Sequence, residues 1–498
     1  MNKAKPRRPA DAANAEILFA AELQRQGRLD EAEWRYRDIL KARPKDWRAL
    51  HLLAEIHLAR RNYAGALEFM AAAMRVNPPS AETDCNYGFI LQKLDRHDEA
   101  LNYFNRALRA APHHVSALLN RGTSLFALNK LADALPNFDS VLALDPDNVN
   151  ALYNRANILS ELRRFDEALA AFAATLARDP AHANAHWNEA LARLLIGDFH
   201  NGWAKYEWRW ETDSQKPHRR RFAQPLWLGS EPPAGKTVLV HAEQGFGDTL
   251  QFVRYIPRLA ALGATTILEA QAGLLPLLSK LSGCAQVIAR GIPLPPFDLH
   301  CPIMSLPLAL RTSLHTIPAD VPYLATPRDR LEKWRERLPR SGKARIALAW
   351  AGSATHSRDA ARSIPLARLQ PLFADNDAIE WLSVQRELRD GDGEILNSWS
   401  RVRHLGPELA DFADTAAVLA LSDLVIAVDT AVAHLAGALG RPVWVLLPYS
   451  PDFRWLLDRG DSPWYPSARL FRQPRPADWD SVIAHVGEAL AEFAAGPL

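Results

Sequence analysis

An aspartate follows two glycines in the segment Gly245-Phe-Gly247-Asp248, which comes after a short β-branched, apolar run at residues 237–242. Strand, glycine turn and helix in this order are typical of the opening of a nucleotide-binding α/β unit. Glycines let backbone N–H groups approach a ligand, and the start of the following helix favours an anion. A carboxylate here can accept a proton from a substrate hydroxyl, or it can cap the helix. Asp248 is therefore a candidate site residue, with capping of the helix as the alternative.

A second polar pair, Asp429 and Thr430, follows the apolar run 424–428 and precedes a helical pattern that contains His434. A hydroxyl and backbone N–H groups at a helix N-terminus suit a phosphate ligand. Because a carboxylate beside a phosphate is repulsive, we expect Asp429 to orient the loop or to contact a sugar hydroxyl. For His434 two uses stay open, contact with the ligand or packing within the helix.

Further candidates follow other strand-like runs of the same half. Gly352 and Ser353 come after residues 344–350, and Gln385 ends the run 380–384. Arg362 can recognise a phosphate or carboxylate through its planar guanidinium, although pairing with a nearby acid is an equal alternative. Gln385 is expected either to contact the base of a nucleotide or to cap its own loop. These residues complete the predicted donor-binding set.

The elements that precede this half are helical and repeat every 34 residues. Proline recurs at that spacing at Pro44, Pro78, Pro112, Pro146 and Pro180. An alanine stands twelve residues before each proline and a bulky side chain eight before it: Ala32, Ala66, Ala100, Ala134 and Ala168, then Tyr36, Met70, Phe104, Phe138 and Phe172. The pattern resembles the tetratricopeptide repeat, a helical solenoid. A sixth unit near Ala183 lacks the proline, carries Gly202 in place of the alanine, and is expected to cap the array.

Four asparagines keep the same register in the first helix of successive units: Asn86, Asn120, Asn154 and Asn188. They lie about 150° around the helix from the apolar stripe, at about 100° per residue. We therefore expect a polar ladder along the inner face of the superhelix. Two uses stay open: hydrogen bonds between adjacent helices, or amides that hold the backbone of an extended acceptor peptide.

Composition narrows the class of protein. The 498 residues exceed one domain, and a formal net charge of +2 argues against a general nucleic-acid binder. The three cysteines lack metal-ligand spacing, and the start of the chain lacks the apolar core of a signal peptide. The most apolar stretch, 424–447, contains charged residues, so no membrane span is expected. A reducing cytoplasm is the predicted location.

The sequence predicts an α plus α/β protein. The expected organisation is repeats at 13–212, a linker at 213–236, an N-terminal lobe at 237–340 and a C-terminal lobe at 341–490. A proline-rich stretch, 292–327, is expected to separate the strands of the two lobes. Two lobes that each begin with a strand and a glycine loop place a ligand at the carboxyl ends of the strands.

Residues 237–490 resemble glycosyltransferase family nine, the bacterial heptosyltransferases. The likeness rests on the glycine turn ending at Asp248 and on the segment Asp429-Thr-Ala-Val-Ala-His434. It implies a GT-B fold of two Rossmann-like lobes, a nucleotide-sugar donor, and Asp248 as the base that deprotonates the acceptor. Inversion needs one base together with cations or helix dipoles at the leaving phosphate, so no metal or other cofactor is expected.

The segments 202–209 and 452–455 resemble bacterial repeat-fused glycosyltransferases, including those that decorate flagellin. The asparagine ladder is similar to that of protein O-linked N-acetylglucosamine transferase, where it holds acceptor polypeptide. These likenesses imply transfer of a sugar to Ser or Thr of a polypeptide. Two alternatives stay open, a saccharide- or lipid-directed heptosyltransferase-like enzyme and a repeat scaffold without catalysis.

Overall fold

A computed structural model describes residues 9–77, 80–356, 358–373 and 377–495. The chain divides into two compact units, of which the first ends at His182 and the second begins at Ala183. The residues predicted as a single repeat region at 13–212 are thus shared between the two units. Pro78, one of the five periodic prolines, lies outside the described residues.

The first unit consists of helical hairpins. Its helices are α1 (Pro9–Arg25), α2 (Leu29–Ala42), α3 (Trp47–Ala59), α4 (Tyr63–Val76), α5 (Ala81–Lys93), α6 (His97–Ala110), α7 (Val115–Ala127), α8 (Leu131–Leu144), α9 (Val149–Glu161) and α10 (Phe165–Arg178). Each of α2, α6, α8 and α10 ends two residues before a periodic proline, because proline has no N–H for the helical ladder. At those four described prolines, the second helix of each hairpin ends beside the periodic proline.

The small and bulky positions of the repeat pack against each other inside each hairpin. A Cβ on Gly88 would lie 2.7 Å from the Phe104 ring, and one on Gly122 would lie 2.7 Å from the Phe138 ring. Both phenylalanines are fully buried. The turn between the two helices of a hairpin is left-handed at the same register, with φ of 56° at Arg61 and 62° at Arg163. The 34-residue period thus governs backbone conformation as well as packing.

The second unit opens with another hairpin, α11 (Ala183–Leu195) and α12 (Phe199–Tyr206), followed by a 3₁₀ turn at Glu207–Glu211. Gly202 is needed for close approach, since a Cβ there would lie 2.6 Å from Leu194. Residues 213–236, predicted as a linker, lie against the following lobe: the Trp227 ring is buried and its backbone N–H donates to the carbonyl of His300 at 2.8 Å.

The N-terminal lobe is built on a parallel sheet in the order β3-β2-β1-β4. Its strands are β1 (Thr237–His241), β2 (Thr265–Ala270), β3 (Gln286–Ala289) and β4 (Leu299–Pro302), and its helices are α13 (Phe246–Phe252), α14 (Ile256–Ala261), α15 (Leu275–Leu278) and α16 (Leu306–Ala309). Strand β4 lies within the stretch 292–327 that was expected only to separate the lobes. Its short Leu-His-Cys-Pro sequence has no β-branched residue to signal a strand.

The C-terminal lobe has a parallel sheet in the order β10-β9-β8-β5-β6-β7. Its strands are β5 (Ala344–Ala349), β6 (Ile379–Ser383), β7 (Val402–His404), β8 (Leu424–Val428), β9 (Val443–Leu447) and β10 (Ala468–Arg472). Its helices are α17 (Arg328–Arg337), α18 (Asp359–Arg362), α19 (Gln370–Phe373), α20 (Asp392–Ser398), α21 (Phe412–Ala420), α22 (Ala431–Ala438) and α23 (Trp479–Ala495). Helix α17, predicted in the N-terminal lobe, pairs with α21 through Arg330 and Asp414, so this lobe begins before residue 341.

The order of the strands sets where a ligand can bind. In the N-terminal sheet the chain moves outward in opposite directions from β1, and in the C-terminal sheet it does so from β5 and β8. Parallel sheets leave a crevice at such points, beyond the carboxyl ends of the strands. The segments that follow β1, β5 and β8 carry Asp248, in the first turn of α13, and the loop residues Gly352 and Thr430 respectively. None of the described helices is long and apolar enough to cross a membrane.

Candidate functional site

Asp248 lies in the first turn of α13, three residues after Gly245. Its Oδ2 accepts the Gly245 N–H at 2.8 Å, so the carboxylate does cap the helix. The other oxygen, Oδ1, pairs with the guanidinium of Arg454, which belongs to the 3₁₀ turn Phe453–Trp455 of the other lobe. The predicted base is therefore held from both lobes.

Arg454 is surrounded by acceptors and aromatic rings. Its Nη1 donates to Asp452 Oδ1 at 2.8 Å, and its Nε donates to the Gln251 side chain. Burial raises the pKa of Asp248, while the positive charge of Arg454 opposes that rise. The same neighbouring carboxylates hold Arg454 in its charged form. This cluster places one cation among two carboxylates at the meeting of the two lobes.

Asp429 and Thr430 follow β8 and lead into α22. Both are more than nine-tenths buried. Burial, followed by the negative charge of Asp452, raises the pKa of Asp429 to about 6. Thr430 is the N-cap of α22 but makes no capping bond, and its buried hydroxyl has no hydrogen-bond partner among the described residues. The N-terminus of α22 thus keeps a hydroxyl and backbone donors for a ligand.

Arg362 reaches the same place from the C-terminal end of α18. Its Nη1 donates to the Asp429 carbonyl at 3.0 Å. Its Nε makes no hydrogen bond within the described part of the chain and lies 3.8 Å from Asp359 Oδ1. A Cβ on Gly352 would lie 2.4 Å from Arg362 Nη2. Glycine after β5 therefore lets the Arg362 side chain lie across this loop. Gly352, Arg362 and Thr430 are therefore brought together.

Ser353 and Gln385 differ from these in how their side chains are used. The Ser353 hydroxyl lies in the exposed part of the loop and hydrogen-bonds Thr355 at 3.0 Å. The side-chain oxygen of Gln385 accepts the backbone N–H groups of Trp350 and Ala351, both at 3.1 Å. Its side-chain NH₂ donates to the carbonyls of Ala351 and Glu387 at 3.0 and 2.9 Å. The geometry therefore favours the loop-capping use of Gln385 over contact with a nucleotide base.

His434 is packed between the lobes. It is 5 % exposed, its ring is stacked on Trp455, and its Nδ1 is hydrogen-bonded with the Tyr465 hydroxyl at 2.9 Å. Burial lowers the pKa of His434 well below its usual value, so the ring is neutral. A Cβ on Gly247 would lie 2.8 Å from His434 Cδ2, which explains the second glycine of the turn by the approach of α13 to α22. Gly245 has no such neighbour closer than the Asp248 carboxylate, 3.4 Å away.

The four asparagines are half-buried at their repeat positions. Asn154 donates its amide to the Asn150 carbonyl at 2.9 Å, one turn earlier in the same helix. The Asn120 amide lies beside the Cys85 thiol of the preceding repeat and partly opposes the rise that burial causes in the pKa of that thiol. The second contact matches the alternative in which asparagine links adjacent helices. Asn86, Asn120 and Asn154 lie in the first unit, whereas Asn188 lies in the second.

The sequence reasoning missed one part of the site. Arg209, completely buried after α12, forms an ion pair with Glu243, two residues before Gly245. The segment 202–209 was recognised only as a likeness. Its dense aromatic content, with a glutamate and an arginine two residues apart, was the one signal that marked it.

Comparison with protein families matches residues 17–81, 90–149 and 125–194 to tetratricopeptide repeats. Residues 396–482 match glycosyltransferase family 9 (heptosyltransferase). The chain fits a repeat-bearing glycosyltransferase of the family nine type. The family 9 match includes Asp429, Thr430 and Arg454, whereas Asp248 and Gly352 lie outside it.

The curated protein FlbA of Caulobacter vibrioides (strain ATCC 19089 / CIP 103742 / CB 15) is 27% identical over 330 residues. That match covers 61% of this chain and 54% of FlbA. The chain therefore spans about half the length of this curated relative.

Solved structures similar to parts of the chain include tetratricopeptide-repeat proteins. YrrB, described as having an unusual peptide-binding site, is 23% identical, covers 35% of this chain and 91% of its own, and has a TM-score of 0.33. PilW, a type IV pilus biogenesis factor, is 25% identical, covers 42% of this chain and 96% of its own, and has a TM-score of 0.36.

Proposed function

We propose that this protein transfers a sugar from a nucleotide-sugar donor to a Ser or Thr hydroxyl of a polypeptide held by the repeats. The observation that carries the proposal is the meeting of Asp248 with the N-terminus of α22 in one structural unit. The two parallel sheets fit a GT-B arrangement, in which one lobe binds the donor and the other presents the base. The family 9 match over residues 396–482 supports glycosyl transfer.

The donor's phosphates are proposed to bind at the N-terminus of α22. Thr430 supplies a hydroxyl that has no partner among the described residues, and Arg362 supplies a cation that crosses the same loop. Together with the helix dipole, these groups stabilise negative charge on the leaving phosphate. Gly352 lets the arginine approach, and Ser353 lies exposed beside it for contact with the donor.

The reaction proposed is a single inverting displacement without a metal or other cofactor. The acceptor hydroxyl oxygen attacks the anomeric carbon while Asp248 takes the hydroxyl proton. The bond from that carbon to the phosphate oxygen breaks, and the nucleotide leaves with the electron pair, as a nucleoside diphosphate from UDP-, ADP- and GDP-sugars or as CMP from a CMP-sugar. Arg454 favours the ionised form of Asp248, which is the form that can accept a proton.

The acceptor is proposed to lie along the asparagine ladder. The amides of Asn86, Asn120 and Asn154 recur at one register, and an extended peptide offers a donor and an acceptor at regular intervals to match them. Flagellin is the proposed polypeptide because of the likeness to flagellin-directed enzymes, and the cytoplasm is the proposed location. The heptosyltransferase description of the family 9 match favours a saccharide as the second candidate acceptor.

A donor screen followed by acceptor competition tests the proposal. UDP-, ADP-, GDP- and CMP-sugars are compared for thermal stabilisation and turnover, and the active donor is then offered with flagellin or with a core saccharide. The triple variant Asn86→Ala, Asn120→Ala, Asn154→Ala is expected to lose transfer to flagellin while it retains donor hydrolysis. A matched control replaces the exposed Asn102 and Asn150 by alanine.

Each outcome selects one function. Transfer to flagellin that survives in the triple variant contradicts the peptide ladder. Transfer to saccharide alone supports the heptosyltransferase-like enzyme. Stabilisation by a nucleotide with no turnover on any acceptor supports a scaffold and overturns the proposal.

A further inference from the structure

The hairpin α11–α12 looks like a degenerate repeat in sequence, but its end is attached to the loop that carries Asp248. Arg209 follows α12 and is 0 % exposed. Its Nε donates to Glu243 Oε2 at 2.8 Å and its Nη2 donates to Glu243 Oε1 at 3.1 Å. Both oxygens of Glu243 are thus held by one guanidinium, two residues before Gly245.

The remaining donors of Arg209 are satisfied as well. Nη1 donates to Glu207 Oε1 at 2.8 Å, and Nη2 also donates to the Ser305 hydroxyl at 2.8 Å. That hydroxyl donates in turn to Glu207 at 2.7 Å. A planar fork with several donors makes this pattern, and an ammonium group of lysine cannot reproduce it.

The next loop residue is held by the same hairpin. Gln244 donates its amide to the hydroxyl of Tyr206, the last residue of α12, at 3.3 Å. The Tyr206 ring lies 4.8 Å from the Arg209 guanidinium carbon. Glu243 is therefore held by Arg209 just after the hairpin, and Gln244 by Tyr206 at its end. Both lie immediately before the Gly245 N–H that Asp248 accepts.

The network continues to the other partner of Asp248. Glu243 Oε1 accepts the backbone N–H of Met304 at 2.9 Å, and the Met304 sulfur lies 3.8 Å from Arg454 Nη2. Trp203 of α12 packs edge-on against Phe453, the neighbour of Arg454, with ring centroids 5.5 Å apart. The hairpin therefore contacts Gln244, just before the Asp248 turn in the N-terminal lobe. It also contacts Phe453, the neighbour of Arg454 in the C-terminal lobe.

We propose that Arg209 is a positioning residue for the Asp248 site, and that α11–α12 is a component of the catalytic unit rather than the end of the peptide-binding array. The inference rests on the proposed glycosyl transfer at Asp248. The Arg209–Glu243 pair sets the conformation of residues 243–248 and hence the direction in which the Asp248 carboxylate points. The donor site around Thr430 is independent of the pair.

A second buried arginine provides a matched control. Arg345 is 1 % exposed, donates to Glu380 at 3.0 Å, and donates to the Pro339 carbonyl at 2.9 Å. It lies at the start of β5, at the end of the strand opposite to Gly352. Replacing Arg345 shows how the loss of a buried arginine–glutamate pair far from Asp248 affects folding and kcat.

The experiment compares Arg209→Lys and Arg345→Lys in the full-length protein. We expect Arg209→Lys to lower kcat on the order of tenfold to 100-fold, as a displaced catalytic group does, with donor Kd within about twofold of wild type. Amide exchange should rise in residues 242–250 but not in residues 424–438. Arg345→Lys should leave kcat and the exchange of residues 242–250 unchanged at the same folded fraction.

Tyr206→Phe is the milder second variant, since it removes only the hydroxyl that accepts from Gln244. We expect faster exchange in residues 242–250 and a smaller loss of kcat. The inference is overturned if amide exchange rises equally in residues 242–250 and 424–438. It is also overturned if Arg209→Lys and Arg345→Lys lower kcat by the same factor. Should wild type transfer no sugar to any acceptor, the proposed function fails, while the exchange data still decide whether Arg209 orders the loop.

Discussion

The guanidinium of Arg454 pairs with the carboxylate of Asp248, and these residues come from different lobes. Arg454 is 7 % exposed and also holds Asp452 and Gln251. The pair makes the charge state of the proposed base depend on a residue 206 positions away in sequence. Any rearrangement of the two lobes therefore alters the environment of Asp248 directly.

Asp248→Asn tests the base. The amide oxygen can still accept the Gly245 N–H, so we expect the variant to fold and to bind the donor normally. Because it cannot take a proton, transfer should fall by about 10²–10⁴-fold. Initial rates of transfer, with donor Kd measured on the same preparation, check this. Full transfer by the variant would exclude Asp248 as the base.

Arg454→Gln tests the ion pair as a structural element. Removing the cation leaves the buried Asp248 and Asp452 without their partner, and breaking a buried pair in this way costs about 3–5 kcal/mol. Denaturant unfolding measures the loss, which should shrink in the double variant with Asp248→Asn because one uncompensated charge is removed. Equal losses in the single and double variants would show that the pair is not coupled.

Thr430→Val tests the phosphate site. The hydroxyl has no partner in the described protein, so its removal should leave the free energy of unfolding within about 0.5 kcal/mol of wild type. Donor Kd should weaken on the order of tenfold through the lost hydrogen bond to an anion. Thr312→Val is the matched control, since Thr312 is buried and hydrogen-bonds the Tyr255 hydroxyl at 2.9 Å. The control should lose stability without loss of donor affinity, and the reverse pattern would contradict the assignment.

The raised pKa of Asp429 predicts how the stability of the protein depends on pH. Its pKa rises from 3.8 to about 6 in the folded protein, so the buried charge costs stability fully above about pH 6 and not at all below pH 3.8. Asp429→Asn should therefore stabilise the protein at pH 8 by about 1–3 kcal/mol, since one pKa unit is about 1.4 kcal/mol.

Neutralising the same carboxylate removes its repulsion of the donor phosphates. Affinity for the nucleotide sugar should strengthen as the pH falls from 7.5 to 5.5, because a diphosphate diester keeps its charge over that range. Calorimetric Kd values for wild type and Asp429→Asn give the comparison. A pH dependence that persists in the variant would assign the titration to another group.

Gly247→Ala tests the approach of α13 to α22. The new methyl would lie 2.8 Å from His434 Cδ2, and overpacking of this kind costs about 1–3 kcal/mol. His434→Ala in the same chain should relieve part of the cost by removing the opposed ring. Thermal unfolding of the single and double variants measures the coupling. A loss that is unchanged in the double variant would place the clash elsewhere.

Where the sequence was a good guide, the signal was local. The starts of α3, α5, α7, α9 and α11 follow from the 34-residue period, since each of these helices begins 34 residues after the one before. Strands β1, β5 and β8 are continuous apolar runs of buried parallel sheet, and they were recognised for that reason. The short strands β4, β7 and β10 were missed, because their three to five residues form strands only through pairing with neighbours already in place.

The sequence by itself determined the repeat register and the glycine–aspartate turn, because both depend on residues close together in the chain. Tertiary structure decided what those residues do. Within the described part of the chain it left the Thr430 hydroxyl without a partner. It also set Gln385 to cap its own loop, packed His434 between the lobes, and joined Arg209 to Glu243 and Arg454 to Asp248. These pairings join residues between 34 and 206 positions apart. Charge and burial at that range depend on which strands lie side by side, and no local pattern carries that information.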